Sequence, residues 1–160
     1  MMRSIAAWAL ILACGLGVAG GAGAAEGLVN AKDFQADART AAKRRVPILV
    51  LFSSPDCPYC DRVKREYLVP MHKDPAYRDR VVIREVTVDA GTPLKGFKGG
   101  ATTQGEFSAD HKVFMVPTVK VFDTQGDPAG DAIVGLLSAD YYFGYLENAI
   151  DEGVRKVRGK

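Results

Sequence analysis

The sequence predicts a single α/β domain, a central sheet of about four strands covered by helices. Three observations carry this reading. Apolar runs of strand length alternate with stretches of helical period, in the order α-β-α-β-α-β-β-α. The first such run, Ile48-Leu49-Val50-Leu51-Phe52, contains no polar residue, so both of its faces are expected to be buried, as in the central strand of a covered sheet. The chain has 160 residues, 48% hydrophobic and 25% charged, which is ordinary for one soluble domain and long enough to bury a core.

The elements follow in order. Asn30 is placed to cap a helix from about Ala31 to Arg45, with Phe34, Ala38, Ala41 and Ala42 on one face and Lys43, Arg44 and Arg45 at its negative end. Pro47 bars its continuation. After the 48–52 strand, Ser53-Ser54-Pro55-Asp56 is a turn. Pro58 suits the first turn of a second helix, expected to reach about Leu68 and to be stopped by Pro70. Val81–Val88 is a second strand. Residues 89–105 are rich in Gly and Thr and show no clear period, and a short helix is expected over Phe107–Val113. Thr118–Phe122 is a β-branched strand, Thr124-Gln125-Gly126-Asp127 a turn, and a short strand around Ala132–Val134 pairs back as a hairpin. Ser138 caps a last helix to about Val157, striped by Tyr142, Leu146, Ala149 and Ile150. No internal repeat or second domain is visible.

Charge and cysteine usage exclude several function classes. Lys plus Arg is 21 and Asp plus Glu is 19, a net charge of +2, without the basic excess that nucleic-acid binding requires. Three cysteines are too few for a disulfide-built scaffold. Residues 4–25 carry no charge and follow Arg3. Ile5 to Ala13 is an apolar run, Gly15 to Ala25 is almost all Gly and Ala, and Ala22-Gly23-Ala24 is a small-x-small cleavage pattern. This is the layout of a secretory signal peptide over residues 1–25, leaving residues 26–160 as the domain in an exported, periplasmic setting. Two other readings stand beside it. One is a retained membrane anchor, weakened by the glycines. The other is lipoprotein processing at Cys14, where Leu12 is larger than the residue usual two positions before the cysteine.

Cleavage leaves Cys57 and Cys60. Their Cys-x-x-Cys lies just past a buried strand and opens a helix, so Cys57 meets unpaired backbone N–H groups and the positive end of the helix dipole. Such placement favours a thiolate. Cys60, one turn further in, is shielded beneath it. The spacing therefore makes Cys57 the attacking nucleophile and Cys60 the resolving thiol. Competing readings are a structural disulfide, which closes too small a loop to contribute much, and a thiol-based metal-binding or delivery module. A zinc site would have to recruit His72 and His111, whose spacing from the cysteines fits no standard motif. Tyr59, between the cysteines, is either a substrate-facing ring or a helix-start aromatic.

With these motifs in hand, the chain resembles the thioredoxin superfamily over about residues 27–155. Val46-Pro47-Ile48-Leu49-Val50-Leu51-Phe52 followed by Cys57-Pro58-Tyr59-Cys60 is similar to the strand and active-site helix of thioredoxins. The tetrapeptide itself is typical of glutaredoxins. Met115-Val116-Pro117-Thr118 resembles the family's cis-proline loop, and Gly135-Leu136-Leu137-Ser138 its glycine-containing lead into the last helix. The resemblance implies a thioredoxin fold with a central mixed sheet, and the long 89–113 segment resembles the exported SoxW-type group. It further implies a thiol–disulfide oxidoreductase with Cys57 and Cys60 as the catalytic pair and Pro58, Tyr59, Val116 and Pro117 contacting the client. It implies no cofactor and no metal, a monomer, client proteins bearing disulfides, and a membrane thiol-electron transporter as reductant. A disulfide oxidase or isomerase remains the alternative within the same chemistry.

Two departures matter. Thioredoxins place a buried acid six residues before the first cysteine, where this chain has Leu51. Glutaredoxins carry a Gly-Gly-Asp-like segment after the cis-proline strand, where this chain has Asp123-Thr124-Gln125-Gly126-Asp127, so glutathione dependence is not expected. The 89–113 segment is either a client-binding loop or a variable surface insertion.

Overall fold

The structure, a computed structural model, describes residues 27–136 and 138–159. The segment read as a leader, with Cys14, lies outside them. β1 (Ile48–Ser53) is buried along its whole length. It stands inside a four-stranded sheet of order β2-β1-β5-β6, formed with β2 (Val82–Thr87), β5 (Thr118–Phe122) and β6 (Ile133–Val134). β1 runs parallel to β2 and antiparallel to β5, so the sheet is mixed. The alternation of β1 side chains divides the core in two. Ile48, Val50 and Phe52 pack with Phe34, Ala38 and Ala41 of α1 (Phe34–Arg44). Leu49 and Leu51 face the other way, onto Val63, Leu68, Tyr142, Leu146 and Ile150. Both faces of an all-apolar strand are thus covered by helices, and the expected α/β sandwich follows.

Several elements differ from expectation. The cap of α1 is Asp33, not Asn30: its carboxylate accepts the Ala36 N–H at 2.8 Å. Residues 29–31 run extended instead, bonding to Glu85 of β2 on both its N–H and its C=O. Pro70 does not stop the second helix. α2 (Pro58–Val63) passes through a π turn (Lys64–Leu68) into α3 (Val69–Lys73), with Pro70 at the start of that last segment. Proline has no N–H to give and its ring crowds the carbonyl four residues back, and the wider turn, in which the Val69 N–H reaches Lys64 O, lies immediately before it. A further short helix, α4 (Pro75–Arg78), capped by Asp74, fills what the sequence left blank.

Residues 89–113 carry structure of their own. β3 (Pro93–Lys95) and β4 (Ala101–Thr103) form a two-stranded antiparallel sheet. α5 (Gln104–Asp110) follows, starting three residues earlier than the sequence reading because Thr103 and Glu106 form a reciprocal capping box. Gln104 anchors the insertion: its side-chain oxygen accepts the Thr87 N–H at 2.7 Å, and its amide nitrogen donates to Ala31 O at 2.9 Å and to Asn30. Phe97 stacks on Phe34 with ring centroids 4.8 Å apart. It also lies so close to Gly126 that a β-carbon there, at φ +89°, would come within 2.6 Å of the ring. The insertion is docked onto α1 and β2.

α6 (Ala139–Arg158) closes the second face with Tyr142, Leu146, Ile150 and Gly153 buried, and Ser138 makes no side-chain capping bond. Among the described residues no helix is long and apolar enough to cross a membrane. The Tyr142 ring packs against Tyr67 at 5.0 Å, yet its hydroxyl, fully buried, has no hydrogen-bond partner among the described residues. An unpaired buried hydroxyl carries its desolvation cost without return. Tyr142→Phe is therefore expected to raise stability by about 1 kcal/mol, read as a higher urea midpoint at unchanged m.

Candidate active site

The site begins where β1 ends. Ser53 is the last β1 residue, and Cys57 caps α2 with extended backbone (φ −110°, ψ 95°). Pro58 occupies the first helical turn, where its missing N–H costs nothing. Cys57 and Cys60 form a disulfide. The Cys60 N–H donates to Cys57 Sγ at 3.1 Å, and the Asp61 N–H donates to Cys57 O at 3.1 Å. One free amide of the helix N-terminus is therefore aimed at the first sulfur, and a hydrogen bond of this kind strengthens when the acceptor becomes an anion. The two sulfurs differ in access: Cys57 is 9% exposed and Cys60 0%. Tyr59, between them, is 64% exposed and projects into solvent.

The second wall comes from β5. Phe52 pairs with Thr118, so Pro117 stands beside Ser53 at the end of the strand that leads into the cysteines. The Val116–Pro117 peptide is cis. Pro117 is buried, its carbonyl accepting the Gly135 N–H at 2.7 Å, and Thr118 Oγ1 donates to Met115 O at 2.8 Å. Val116 has neither its N–H nor its C=O engaged by any other described residue. Phe114, at 88% exposed, and Met115 extend the loop as an apolar rim. A groove of about 430 Å³ runs from Ser54 past Met115 and Val116 to α5 of the insertion.

Beneath α2 lies a polar cluster. Glu85 stands opposite Leu51 in the β1–β2 register, on the face that carries α2. Its carboxylate accepts the Ser53 hydroxyl at 2.6 Å and pairs with Lys64 Nζ at 3.2 Å, and Lys64 also reaches Asp61 at 3.1 Å. Burial works to lower the Lys64 pKa, but the hydrogen bonds and charges of Asp61 and Glu85 outweigh it and hold the ammonium above its ordinary value. Lys64 is one helical turn beyond Cys60, on the same helix face. None of these side chains is among the site residues read from the sequence. The available signal was the adjacent Arg84-Glu85 pair inside an apolar strand, whose charges must leave by opposite faces. Arg84 does so towards α1, where Asp37 holds it in a bidentate pair.

The site residues read from sequence thus divide clearly. Cys57, Pro58, Tyr59 and Cys60 are contiguous on α2, and Val116 and Pro117 are brought to the same end of the sheet from 60 residues away. The two histidines do not join them. His111 packs at a tilt against Phe107, centroids 4.3 Å apart, and edge-on against Phe122 at 4.8 Å, and His72 lines a cavity at the start of β2. Among the described residues no three His, Cys, Asp or Glu side chains are grouped to hold a metal ion.

A helix-capping Cys-x-x-Cys beside a proline loop on a four-stranded mixed sheet invites comparison with known proteins. The thioredoxin-like domain matches residues 34–150. The chain belongs to the thioredoxin-like family. No curated protein sequence matches it. Among solved structures it is similar to a thioredoxin from Nicotiana alata (17% identity, 82% of this chain and 98% of that one, TM-score 0.53). It is also similar to mitochondrial thioredoxin 3 from Saccharomyces cerevisiae (18%, 78% and 94%, TM-score 0.51). Thioredoxin O2 from Arabidopsis thaliana follows at 19% identity, covering 75% of this chain and 91% of that one at TM-score 0.50. These likenesses establish a shared thioredoxin fold. Within it, this thioredoxin-like chain carries a cysteine pair at disulfide distance.

Proposed function

We propose that this thioredoxin-like protein reduces disulfides of client proteins outside the cytoplasm, as a periplasmic protein of the SoxW-type group. The observation that carries the reading is the asymmetry of the cysteine pair. Cys57 is partly open and receives a helix-terminal N–H on its sulfur, while Cys60 is closed off beneath it. The Cys57 thiolate attacks one sulfur of a client disulfide, forming a Cys57–client bond and expelling the other client sulfur as a thiolate. Cys60, deprotonated, then attacks Cys57 Sγ. The second client thiolate leaves, a Cys57–Cys60 disulfide forms, and two electrons have passed to the client, whose thiolates take up two protons.

The client lies across Pro58 and Tyr59 on one side and Val116 and Pro117 on the other. The unengaged Val116 N–H and C=O suit an extended segment added alongside. A membrane thiol-electron transporter returns the electrons, and the protein works as a monomer. No cofactor or metal enters the proposed cycle.

The test is a pair of measurements. Dithiothreitol-driven insulin reduction should be accelerated by the protein and not by Cys57→Ser. The Cys57/Cys60 couple should equilibrate near the thioredoxin range, about −270 mV. A couple near about −120 mV, with no insulin reduction, would assign the oxidase role instead.

A further inference from the structure

At the far end of β2 from the cysteines lies a cavity of about 450 Å³. β1 and β2 are in register from Ile48 opposite Val82 to Ser53 opposite Thr87. The cavity, built against Val81–Arg84, is therefore a strand length, about 17–20 Å, from the end that leads into Cys57. Three parts of the chain wall it: Arg44 at the end of α1, His72 and Arg78 from α3 and α4, and Arg84 from β2. One carboxylate, Asp79, lines it.

These cations are not equally committed. Arg84 is consumed by its bidentate pair with Asp37 and by a bond to Ile83 O at 2.8 Å. The nearby Tyr77 hydroxyl is also occupied, donating to Glu147 at 2.7 Å. Arg44, Arg78 and His72 have no hydrogen-bond or ion-pair partner among the described residues. With Arg84 balanced by Asp37, Arg44 and Arg78 outnumber Asp79. Burial, and then the Arg84 and Arg78 charges, hold the His72 imidazole below its ordinary pKa.

We propose that this cavity binds a tetrahedral oxyanion, a sulfate or phosphate group, held by the Arg44 and Arg78 guanidiniums with His72 as a further donor. Guanidinium matches such oxygens with paired N–H groups, and an unpaired half-buried imidazole gains a partner when the anion enters. A cavity of this volume has room for more than the anion alone, so the group arrives either free or as the phosphate of a lipid headgroup. Neither route involves the cysteine pair, and the proposal stands whether or not the redox reading does.

The chain has two histidines, and His111, packed against Phe107 and Phe122, is a built-in reference for NMR of the imidazole signals. Sodium sulfate and sodium phosphate are titrated against sodium chloride at matched ionic strength. The His72 signal should shift saturably and its pKa should rise by about half a unit or more, while His111 stays put. The Arg44→Gln/Arg78→Gln double variant removes two exposed side chains without partners, so the fold should persist, as its His111 signal will show. Its binding should weaken about tenfold or more. In a second arm, the protein is sedimented with phosphatidylglycerol or phosphatidylcholine vesicles. Sedimentation with the anionic vesicles alone, lost in the double variant, assigns the lipid-borne group. A saturable response to the free ions without sedimentation assigns the free anion. Equal His72 responses to sulfate, phosphate and chloride without vesicle binding would overturn the proposal, as would an unchanged response in the double variant.

Discussion

A Cys60→Ser protein is expected to end up covalently attached to whatever disulfide it attacks. Cys57 remains at the head of α2 with the residue-60 N–H aimed at its sulfur, so the first exchange proceeds. The second cannot, because the resolving sulfur is gone. Incubated with insulin or a periplasmic extract and quenched in acid, the variant should give thiol-sensitive adducts on a non-reducing gel. Cys57→Ser should give none, since Cys60 has no exposed surface from which to begin. Each variant should lose turnover by about 10³-fold or more, as expected when one member of a covalent relay is deleted. Adducts formed equally well by Cys57→Ser would exchange the two roles. Absence of adducts from both would remove the exchange mechanism.

Introducing an acid at position 51 is expected to produce the largest loss of stability. Leu51 is wholly buried against Val63, Leu68 and Tyr142, and Glu85 stands opposite it on the next strand, about 4.8 Å away along the hydrogen-bonding direction. Leu51→Asp removes packed volume and inserts a carboxyl into apolar surroundings, together about 3–5 kcal/mol. Both burial and the Glu85 charge oppose ionisation, so the introduced carboxyl has a folded-state pKa above its unfolded value. Such a group favours the unfolded chain as pH rises past the unfolded pKa. The deficit should therefore be smallest below about pH 4 and deepen towards neutrality. Urea unfolding from pH 4 to 8 measures it. Adding Glu85→Gln should recover part of the neutral-pH loss, since the like charge is then removed. The pH profile of insulin reduction should also change wherever the variant is folded, because ionisation of Cys60 would then have a carboxyl close by. Identical profiles for wild type and variant would show that position 51 takes no part in that proton transfer.

The legibility of this molecule in its sequence followed chemistry that is local. An unbroken apolar pentapeptide, then a cysteine, a proline and a second cysteine, carry the central strand and the reactive helix within thirteen residues. The cis-proline loop at Val116-Pro117 was legible only through the resemblance to the thioredoxin superfamily, since a proline opening a strand is by itself as compatible with a trans bond. What escaped was decided by partners distant in the chain. Asn30 looked like a cap, but Glu85 offered residues 29–31 a strand edge, and the cap passed to Asp33. The β3–β4 pair is three residues a side and has no alternation long enough to register. It is held by Phe97 on Phe34 and by Gln104 across to Ala31 and Thr87. Ser53 and Lys64 are unremarkable in sequence. They matter only because the β1–β2 register sets Glu85 between them.

The π turn after Cys60 has a bearing on helix phase. The buried positions of the reactive helix are Cys60, Val63, Leu68 and Met71, spaced three, five and three. At 100° per residue, a step of five advances the α-helical azimuth by about 140° beyond a full revolution, enough to swing Leu68 off the face defined by Cys60 and Val63. Widening one turn absorbs the extra residue and resets the angle. Leu68, which an uninterrupted helix would hold about 140° away from Val63, then looks at the same sheet. Seen this way, residues 64–68 are a one-residue insertion in an otherwise regular stripe. Removing one residue there would leave a spacing of three, four and three, a plain α-helical stripe with the resolving cysteine still facing inward.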